Sequence, residues 1–358
     1  MKRKLNVLVL GLLIAVGFLC AAALPAGAQQ SRDLAKVFES KPIKIIVGSA
    51  PGGGYDTFGR MVARFSGKYL PGKPTFVVQN IPGGGQLRGL RALMKSTPDG
   101  LTIGLLHPRF VQRELAGIDV PDFDLKTVRV LGSPSASTVS RIWCVRRSIA
   151  TNWDEVVKLG RPLTGGDSAP GASFGLGPQF VELVGGPIKM VYGYDGTSDI
   201  MAAFDRGETD SINRCTEEHV PRLFPRWVKE RMIAPIFWWE REPSKDWLGQ
   251  LGVTQIPYIL EVVKASEEQR SAFELAVRFN TFSRTFITPP GVPDDVYFAW
   301  KKAFEATTKD PGFLKAADAA GLEVGLGTAD DFNKLVDSFT KLSPAGAKVL
   351  KDLIAQGS

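Results

Sequence analysis

The chain has 358 residues, of which 44% are hydrophobic and 23% are charged. This composition excludes a disordered chain, a collagen and a disulfide-stapled mini-protein. At roughly 150 residues per domain, the length predicts two domains with a cleft between them, and one large α/β domain is the alternative. The net charge of +7 falls to +4 without Lys2, Arg3 and Lys4. This dispersed positive charge suits small anions and is too weak to indicate a nucleic-acid partner.

The amino terminus has the three parts of a secretory signal peptide. The basic residues 2–4 precede an apolar stretch over 5–24, and Pro25 and the small residues 26–28 follow. We therefore predict a signal peptide over residues 1–28 that is cleaved after Ala28. The alternative is a membrane anchor, since about 20 apolar residues can span a bilayer. The mature protein is expected to be soluble and exported.

Export changes the interpretation of the cysteines. Cys144 and Cys215 are the pair that remains after removal of the signal peptide, and an exported chain enters an oxidising compartment. Both residues lie in strand-like segments, so neighbouring strands would bring them together. The alternatives are a disulfide and two buried free thiols. Neither cysteine is part of a metal-ligand spacing, and no metal site is predicted.

The first part of the mature chain alternates strands, glycine-rich loops and helices. Strands are predicted over 43–47, 75–78 and 101–106, with helix-compatible apolar spacing after the first two. The loops after these strands contain Gly52–Gly54, Gly83–Gly85 and the segment from His107 to Arg109. Because the strands of a parallel sheet end at one edge, these three loops are expected to lie together.

A second α/β block follows a run of small polar residues at 133–140. It contains predicted strands over 141–145, 163–164, 190–194 and 210–215 and helices over 153–159 and 197–206. The apolar strand 233–239 is expected to return the chain to the first block. The predicted division is domain 1 over 29–137 plus 240–358 and domain 2 over 138–239, with hinges near 134–141 and 234–241.

The occurrence of glycine in the loops at these strand ends has a physical explanation. Several backbone N–H groups at a helix amino terminus hold a carboxylate well, and a Cβ would block its close approach. A tight turn without a ligand is the alternative for any single loop. Arg109 either pairs with a carboxylate or is a solvated surface residue, and His107 either meets a ligand or is packed. Tyr55 either stacks on an aromatic ligand or covers the cleft rim.

Ordered motifs give the chain a resemblance to a known family. The segments 41–56, 78–85, 98–102, 194–196, 207–210, 288–293 and 310–311 are similar, in that order, to landmarks of the Bug receptors. These receptors are the periplasmic solute-binding proteins of tripartite tricarboxylate transporters. The resemblance covers essentially the whole mature chain. It departs from the family at Tyr55, at Asp195 and at Phe174–Pro178, where a small hydroxyl residue, a basic residue and a histidine are usual.

The resemblance implies a two-domain, type II-like Venus-flytrap fold, each domain having a mixed, mainly parallel sheet flanked by helices. It implies that the loop at Gly52–Gly54 and an opposite loop at Ser168–Ser173 clamp one ligand carboxylate. The candidate ligand-binding residues are Gly52, Gly53, Gly54, Tyr55, Asp56, Gly84, His107, Arg109, Ser168, Gly171, Ala172, Ser173, Tyr194 and Asp195.

The implied function is a receptor that closes on a small organic carboxylate and delivers it to membrane transporter subunits. No enzymatic activity and no cofactor are expected, and the receptor is expected to be a monomer. Dicarboxylates, aromatic carboxylates and amino acids all remain open as ligands, and so does a sensor role.

A hydrolase is the alternative from another class. Residues 171–175, Gly-Ala-Ser-Phe-Gly, match the G-x-S-x-G nucleophile elbow with Ser173 as nucleophile. His219 would be the base, with Asp195, Asp199 or Asp210 as its orienting acid. The elbow needs its serine directly after a strand, whereas residues 167–171 intervene here. The sequence therefore favours the receptor over a secreted serine esterase.

Overall fold

The computed structural model of the chain describes residues 32–136, 140–172, 174–339 and 341–355. The predicted signal peptide, Ser173 and part of the first predicted hinge lie outside these ranges. Within them, the helices are all too short or too polar to span a bilayer.

Two five-stranded sheets organise the fold. The first has the order β2-β1-β3-β10-β4, in which β1, β2 and β3 are parallel and β10 is antiparallel to both of its neighbours. Its strands are β1 Ile43–Val47, β2 Phe76–Asn80, β3 Thr102–Leu106, β4 Arg129–Gly132 and β10 Thr285–Thr288.

The second sheet repeats this plan with the order β7-β6-β8-β5-β9. Strands β6, β7 and β8 are parallel, and β5 runs antiparallel to β8 and β9. Its strands are β5 Ser140–Arg146, β6 Leu163–Asp167, β7 Ile188–Tyr192, β8 Ser211–Ile212 and β9 Ile233–Glu240. In each sheet the three parallel strands end at the same edge, as the alternation of strands and helices predicts.

Helices cover both sheets. Those in the first part of the chain are α1 Leu34–Glu39, α2 Gly54–Ser66, α3 Leu87–Met94, α4 Pro108–Leu115, α5 Trp153–Lys158, α6 Leu176–Leu183, α7 Thr197–Arg206, α8 Val220–Leu223 and α9 Arg226–Lys229. The later ones are α10 Lys245–Gln250, α11 Ile259–Val262, α12 Glu267–Arg278, α13 Asp294–Thr308, α14 Pro311–Ala319, α15 Ala329–Phe339 and α16 Pro344–Ala355. Short 3₁₀ turns occupy Gly67–Tyr69 and Phe279–Phe282.

The packing follows from the pleat of the strands. Successive side chains of a strand point to opposite faces, so Ile45 and Val47 enter one hydrophobic core while Ile46 enters another. The core of Ile46 also contains Trp143 of the second sheet, Phe273 of α12 and Leu353 of α16. The carboxy-terminal helices therefore bury apolar surface from both sheets in one continuous core.

Most predicted elements agree with the structure to within two residues, and two predictions were wrong. Strand β9 does not return the chain to the first sheet but pairs with β5 along its whole length, and β10 is the returning strand. Nearly all of β9 is buried, so its composition does not indicate which sheet it joins. Strand β8 is only two residues long, and Arg214, two residues beyond its end, already lies beside the open edge where the loops converge. The predicted domain limits stay a prediction.

A disulfide joins the two sides of the β5–β8 pair. Cys144 of β5 and Cys215, three residues beyond β8, are bonded with their Cα atoms 5.9 Å apart. Both side chains are fully buried. The bond fixes the segment after β8 to β5, its neighbour in the second sheet.

Candidate functional site

The carboxyl ends of the parallel strands β1–β3 and β6–β8 surround one cavity. Its volume is about 540 Å³ when the solvent-filled space at the opening is included. Ligands of open α/β sheets bind at this edge, where the loops converge. The cavity wall consists of Ser49, Gly53, Gly54, Tyr55, Gln86, His107, Ser168, Ala172, Phe174, Asp195, Gly196, Thr197, Arg214, His219, Ser283 and Arg284.

Two helix amino termini meet at this cavity from opposite sheets. Helix α2 begins at Gly54 and helix α7 at Thr197, and neither has a side chain capping its first turn. A Cβ on Gly53 would lie 3.8 Å from the Cβ of Thr197, so the two ends are close neighbours. Backbone N–H groups and helix dipoles of both sheets are thus available to one small anion.

The first glycine loop is held in place by an acid behind it. Asp56 accepts hydrogen bonds from the N–H of Gly52 at 3.0 Å, from Arg60 Nε at 3.0 Å and from Asn80 Nδ2 at 2.9 Å. Burial alone would raise the pKa of Asp56, but these hydrogen bonds outweigh it and lower the pKa. Asp56 therefore braces the loop and does not line the cavity.

Arg109 has a similar bracing role at the second loop. Its Nη2 donates to the carbonyl oxygen of Gly84 at 3.0 Å and to that of Gly85. Burial lowers the pKa of Arg109 to about 9. Neither Arg109 nor Gly84 belongs to the cavity wall, so the guanidinium supports the second loop from behind the wall.

Tyr55 and His107 form a stacked pair in the wall, with ring centroids 5.5 Å apart and planes 13° apart. The hydroxyl of Tyr55 is buried and has no hydrogen-bond partner among the described residues. Nδ1 of His107 accepts from the N–H of Arg109 at 3.2 Å, which caps helix α4. Burial, with Arg109 and Arg141 nearby, holds the pKa of His107 well below its usual value. The imidazole is therefore neutral at pH 7.

Two buried ion pairs complete the wall. Arg214 Nη2 lies 2.9 Å from Oδ1 of Asp167, and Arg284 Nη2 lies 2.8 and 2.9 Å from the two carboxylate oxygens of Glu218. Arg284 precedes β10 of the first sheet, whereas Glu218 follows β8 of the second. The Arg284–Glu218 pair therefore joins the two sheets across the cavity. Arg222 adds an exposed link, donating to the carbonyl of Gly52 at 2.9 Å.

Phe174 lies among these cations. Its ring centre is 4.0 Å from the guanidinium carbon of Arg141 and 5.2 Å from that of Arg214. His219 meets the ring edge-on, with centroids 5.2 Å apart. Both Nη atoms of Arg141 are buried without a hydrogen-bond partner among the described residues, while its Nε contacts Glu240. Cation–π contact accounts for a phenylalanine in this charged setting.

The predicted site residues fall into three groups. Gly53, Gly54, Tyr55, His107, Ser168, Ala172 and Asp195 lie in the cavity wall. Gly52, Asp56, Gly84, Arg109, Gly171 and Tyr194 stand outside the wall. Gly171, for example, donates its N–H to Gln179 Oε1 at 3.0 Å and adopts a φ of +72°. Ser173 lies outside the described residues.

The sequence missed Arg214, Glu218 and Arg284 as members of the site. Nothing in their local pattern sets them apart from ordinary surface charges. Arg214 follows a strand and precedes Cys215, so its position at a strand end was the one available signal. Arg284 and Glu218 are 66 residues apart, and only the fold pairs them.

Two candidate members of the alternative hydrolytic triad, His219 and Asp210, have other partners in the structure. Nδ1 of His219 bonds to Oγ1 of Thr216 at 2.8 Å, and burial lowers the pKa of His219 to about 4. Asp210 accepts from Arg161 at 2.8 Å and from the N–H of Thr164 at 3.1 Å. These contacts give the esterase alternative no support.

No family model matches the sequence. Among curated proteins, the "UPF0065 protein in gbd 5'region" of Cupriavidus necator is 32% identical over 103 residues. This match spans only 29% of the chain and 29% of that relative.

Solved structures resemble the chain over most of its length. The periplasmic binding protein BugD has a TM-score of 0.64 at 20% identity, covering 88% of this chain and 98% of its own. Rpa4515 of R. palustris with adipate has a TM-score of 0.62 at 17% identity, covering 87% and 97%. MatC of Rhodopseudomonas palustris with bound malate has a TM-score of 0.62 at 14% identity, covering 88% and 99%. The predicted fold class is confirmed, since the chain has the two-domain α/β fold of the periplasmic binding proteins.

Proposed function

We propose that the protein is a periplasmic receptor of the Bug family that binds a small organic carboxylate in its cavity. It delivers this ligand to the membrane subunits of a tripartite tricarboxylate-type transporter. The chain is exported by its signal peptide and acts as a soluble monomer without a cofactor and without enzymatic activity. Closure of the two domains on the ligand changes the surface that the transporter meets.

The observation that carries this proposal is the meeting of two uncapped helix amino termini at one cavity. Gly53 and Gly54 supply the first, and Gly196 and Thr197 supply the second, from the other sheet. A carboxylate between them gains hydrogen bonds from both domains only when the cleft is closed. The unpartnered hydroxyls of Ser49 and Tyr55 are further donors in or beside the cavity wall.

The ligands named for structurally similar proteins support the same chemistry. Rpa4515 is described with adipate and MatC with malate, and both ligands are organic carboxylates. The short sequence match to a UPF0065 protein agrees with the motif order that resembles the Bug receptors.

Thermal unfolding against a ligand panel tests the proposal. The mature protein, refolded to remove ligand from the host cell, is heated with about a hundred organic acids, esters and sugars. A ligand at 100 times its dissociation constant adds about 2.7 kcal/mol of stability, a shift of several degrees. We expect a set of related carboxylates to raise the Tm. A shift with neutral sugars alone would contradict the proposal.

Gly54→Ala is expected to weaken carboxylate binding about 100-fold, roughly 2.7 kcal/mol. A Cβ at Gly54 would lie 2.5 Å from Nη2 of Arg284 and 2.8 Å from Oε1 of Glu218. Both atoms are held in a buried ion pair, so the loop has to move away from the cavity. Calorimetric titration with the best carboxylate of the panel measures the effect.

Gly249→Ala is the matched control for this substitution. Gly249 is also a helical glycine, and a Cβ there would meet nothing within 4 Å. Its replacement should leave affinity unchanged and raise helix stability by up to about 1 kcal/mol. Equal affinities of the two variants would show that close approach at Gly54 is not needed.

A further inference from the structure

Each arginine in the cavity wall already has a carboxylate partner. Arg214 is paired with Asp167 and Arg284 with Glu218, and all four side chains are at most 8% exposed. An incoming anion therefore meets guanidinium groups whose charge is largely balanced. The wall offers it hydrogen-bond donors but little free positive charge.

The two histidines of the wall add no charge. His107 and His219 are both buried, and desolvation holds the pKa of each below neutral pH. Asp195 in the same wall is exposed at the rim, where solvent screens its charge.

The buried charges in and behind the wall leave a surplus of one cation. Four buried arginines, Arg109, Arg141, Arg214 and Arg284, face three carboxylates of the same cluster, Asp167, Glu218 and Glu240. A further buried carboxylate behind the wall, Asp56, is balanced by its own ion pair with the exposed Arg60. Among the ion pairs of the described residues, none includes Arg109, whose guanidinium donates to two carbonyl oxygens and lies over the ring of Phe110. The unpartnered Nη atoms of Arg141 belong to the same cluster.

A buried charge is tolerated only when an opposite charge balances it. One ligand carboxylate neutralises the surplus cation, with the two helix amino termini as its direct donors. A second carboxylate in the closed cavity would have no cation of its own, since the remaining arginines are already paired. The uncharged remainder of the ligand would instead contact Tyr55, Ala172 and Phe174.

We propose that the receptor selects monocarboxylates with an uncharged body over dicarboxylates of the same carbon skeleton. This inference rests on the proposed carboxylate-binding function and narrows its ligand class. The selectivity comes from the carboxylates Asp167, Glu218 and Glu240, which occupy the arginines that a second ligand carboxylate would need.

Matched ligand pairs test this inference on the wild-type protein. Dissociation constants are measured by calorimetry at pH 7.5 for butyrate and succinate, hexanoate and adipate, lactate and malate, and benzoate and phthalate. We expect the monocarboxylate to bind at least tenfold tighter in every pair that binds. Equal or tighter binding of the dicarboxylates would overturn the inference and leave the receptor function intact. Binding of no carboxylate at all would overturn the proposed function itself.

Glu218→Gln tests the origin of the selectivity. The substitution removes the anion beside Arg284 and frees one cation in the wall, so the preference for the monocarboxylate should fall at least tenfold or reverse. Glu208→Gln removes the same charge from an exposed pair with Arg206, and it should leave the preference unchanged. An unchanged preference in a folded Glu218→Gln variant would contradict the charge-balance explanation.

Discussion

Arg284→Met is expected to lower the free energy of unfolding by about 3–5 kcal/mol. The substitution leaves Glu218 buried without its cation, and a buried unpaired carboxylate is strongly destabilising. Arg284 and Glu218 are 5% and 8% exposed, so solvent compensates little of this loss. Urea unfolding of the ligand-free protein measures the change, and the corresponding fall in Tm is roughly 5 °C.

Two further variants identify the cause of this loss. Arg206→Met breaks an exposed pair between Arg206 and Glu208, whose side chains are 60% and 49% exposed, and it should leave the free energy of unfolding nearly unchanged. The double variant Arg284→Met/Glu218→Leu removes both charges and should recover most of the stability. If the double variant is as unstable as Arg284→Met, lost packing and not an unpaired charge is responsible.

Lowering the pH from 7 to 5 is expected to destabilise the fold by about 4 kcal/mol. Unfolded histidine has a pKa of about 6.5. Burial lowers the pKa of folded His219 to about 4 and holds that of His107 well below 6.5. The unfolded chain therefore binds more protons, so stability is complete above pH 6.5 and is lost as the pH falls towards 4. Each histidine contributes about 1.4 kcal/mol per pH unit below 6.5.

The loss of stability between pH 7 and 5 can be assigned to His107 and His219, because the chain contains only two histidines. Urea unfolding at half-unit intervals between pH 7.5 and 5 gives the slope. His219→Asn and His107→Asn keep a hydrogen-bond acceptor near the ring nitrogen, and each should remove about half of the slope. A flat profile of the wild-type protein would mean that one or both imidazoles become protonated without unfolding.

The sequence predicted the elements whose pattern is local. The β-branched run at Ile43–Val47 and the glycine loop before α2 lie where expected, because apolar alternation and glycine act over a few residues. The approach of the loops after β1, β2 and β3 also followed from the rule for parallel strands.

The remainder of the site depended on contacts between distant segments. Asp56 and Arg109 are candidate ligand-binding residues in the sequence. In the structure, Asp56 accepts a hydrogen bond from the N–H of Gly52, and Arg109 donates to the carbonyls of Gly84 and Gly85. Arg284 was not predicted at all. The partner of a charged side chain is set by tertiary contacts. It cannot be predicted from the spacing of residues or from the composition.

The position of β10 determines when the first sheet can form. This strand lies between β3 and β4, although the entire second sheet precedes it in the chain. Until residues 285–288 have been synthesised, β4 has no neighbour in its sheet and β3 keeps an open edge. A nascent chain therefore cannot complete either its first sheet or the Arg284–Glu218 pair before its last fifth emerges. Such delayed folding keeps a polypeptide unfolded during its synthesis. A narrow translocation channel admits a chain only in that unfolded state.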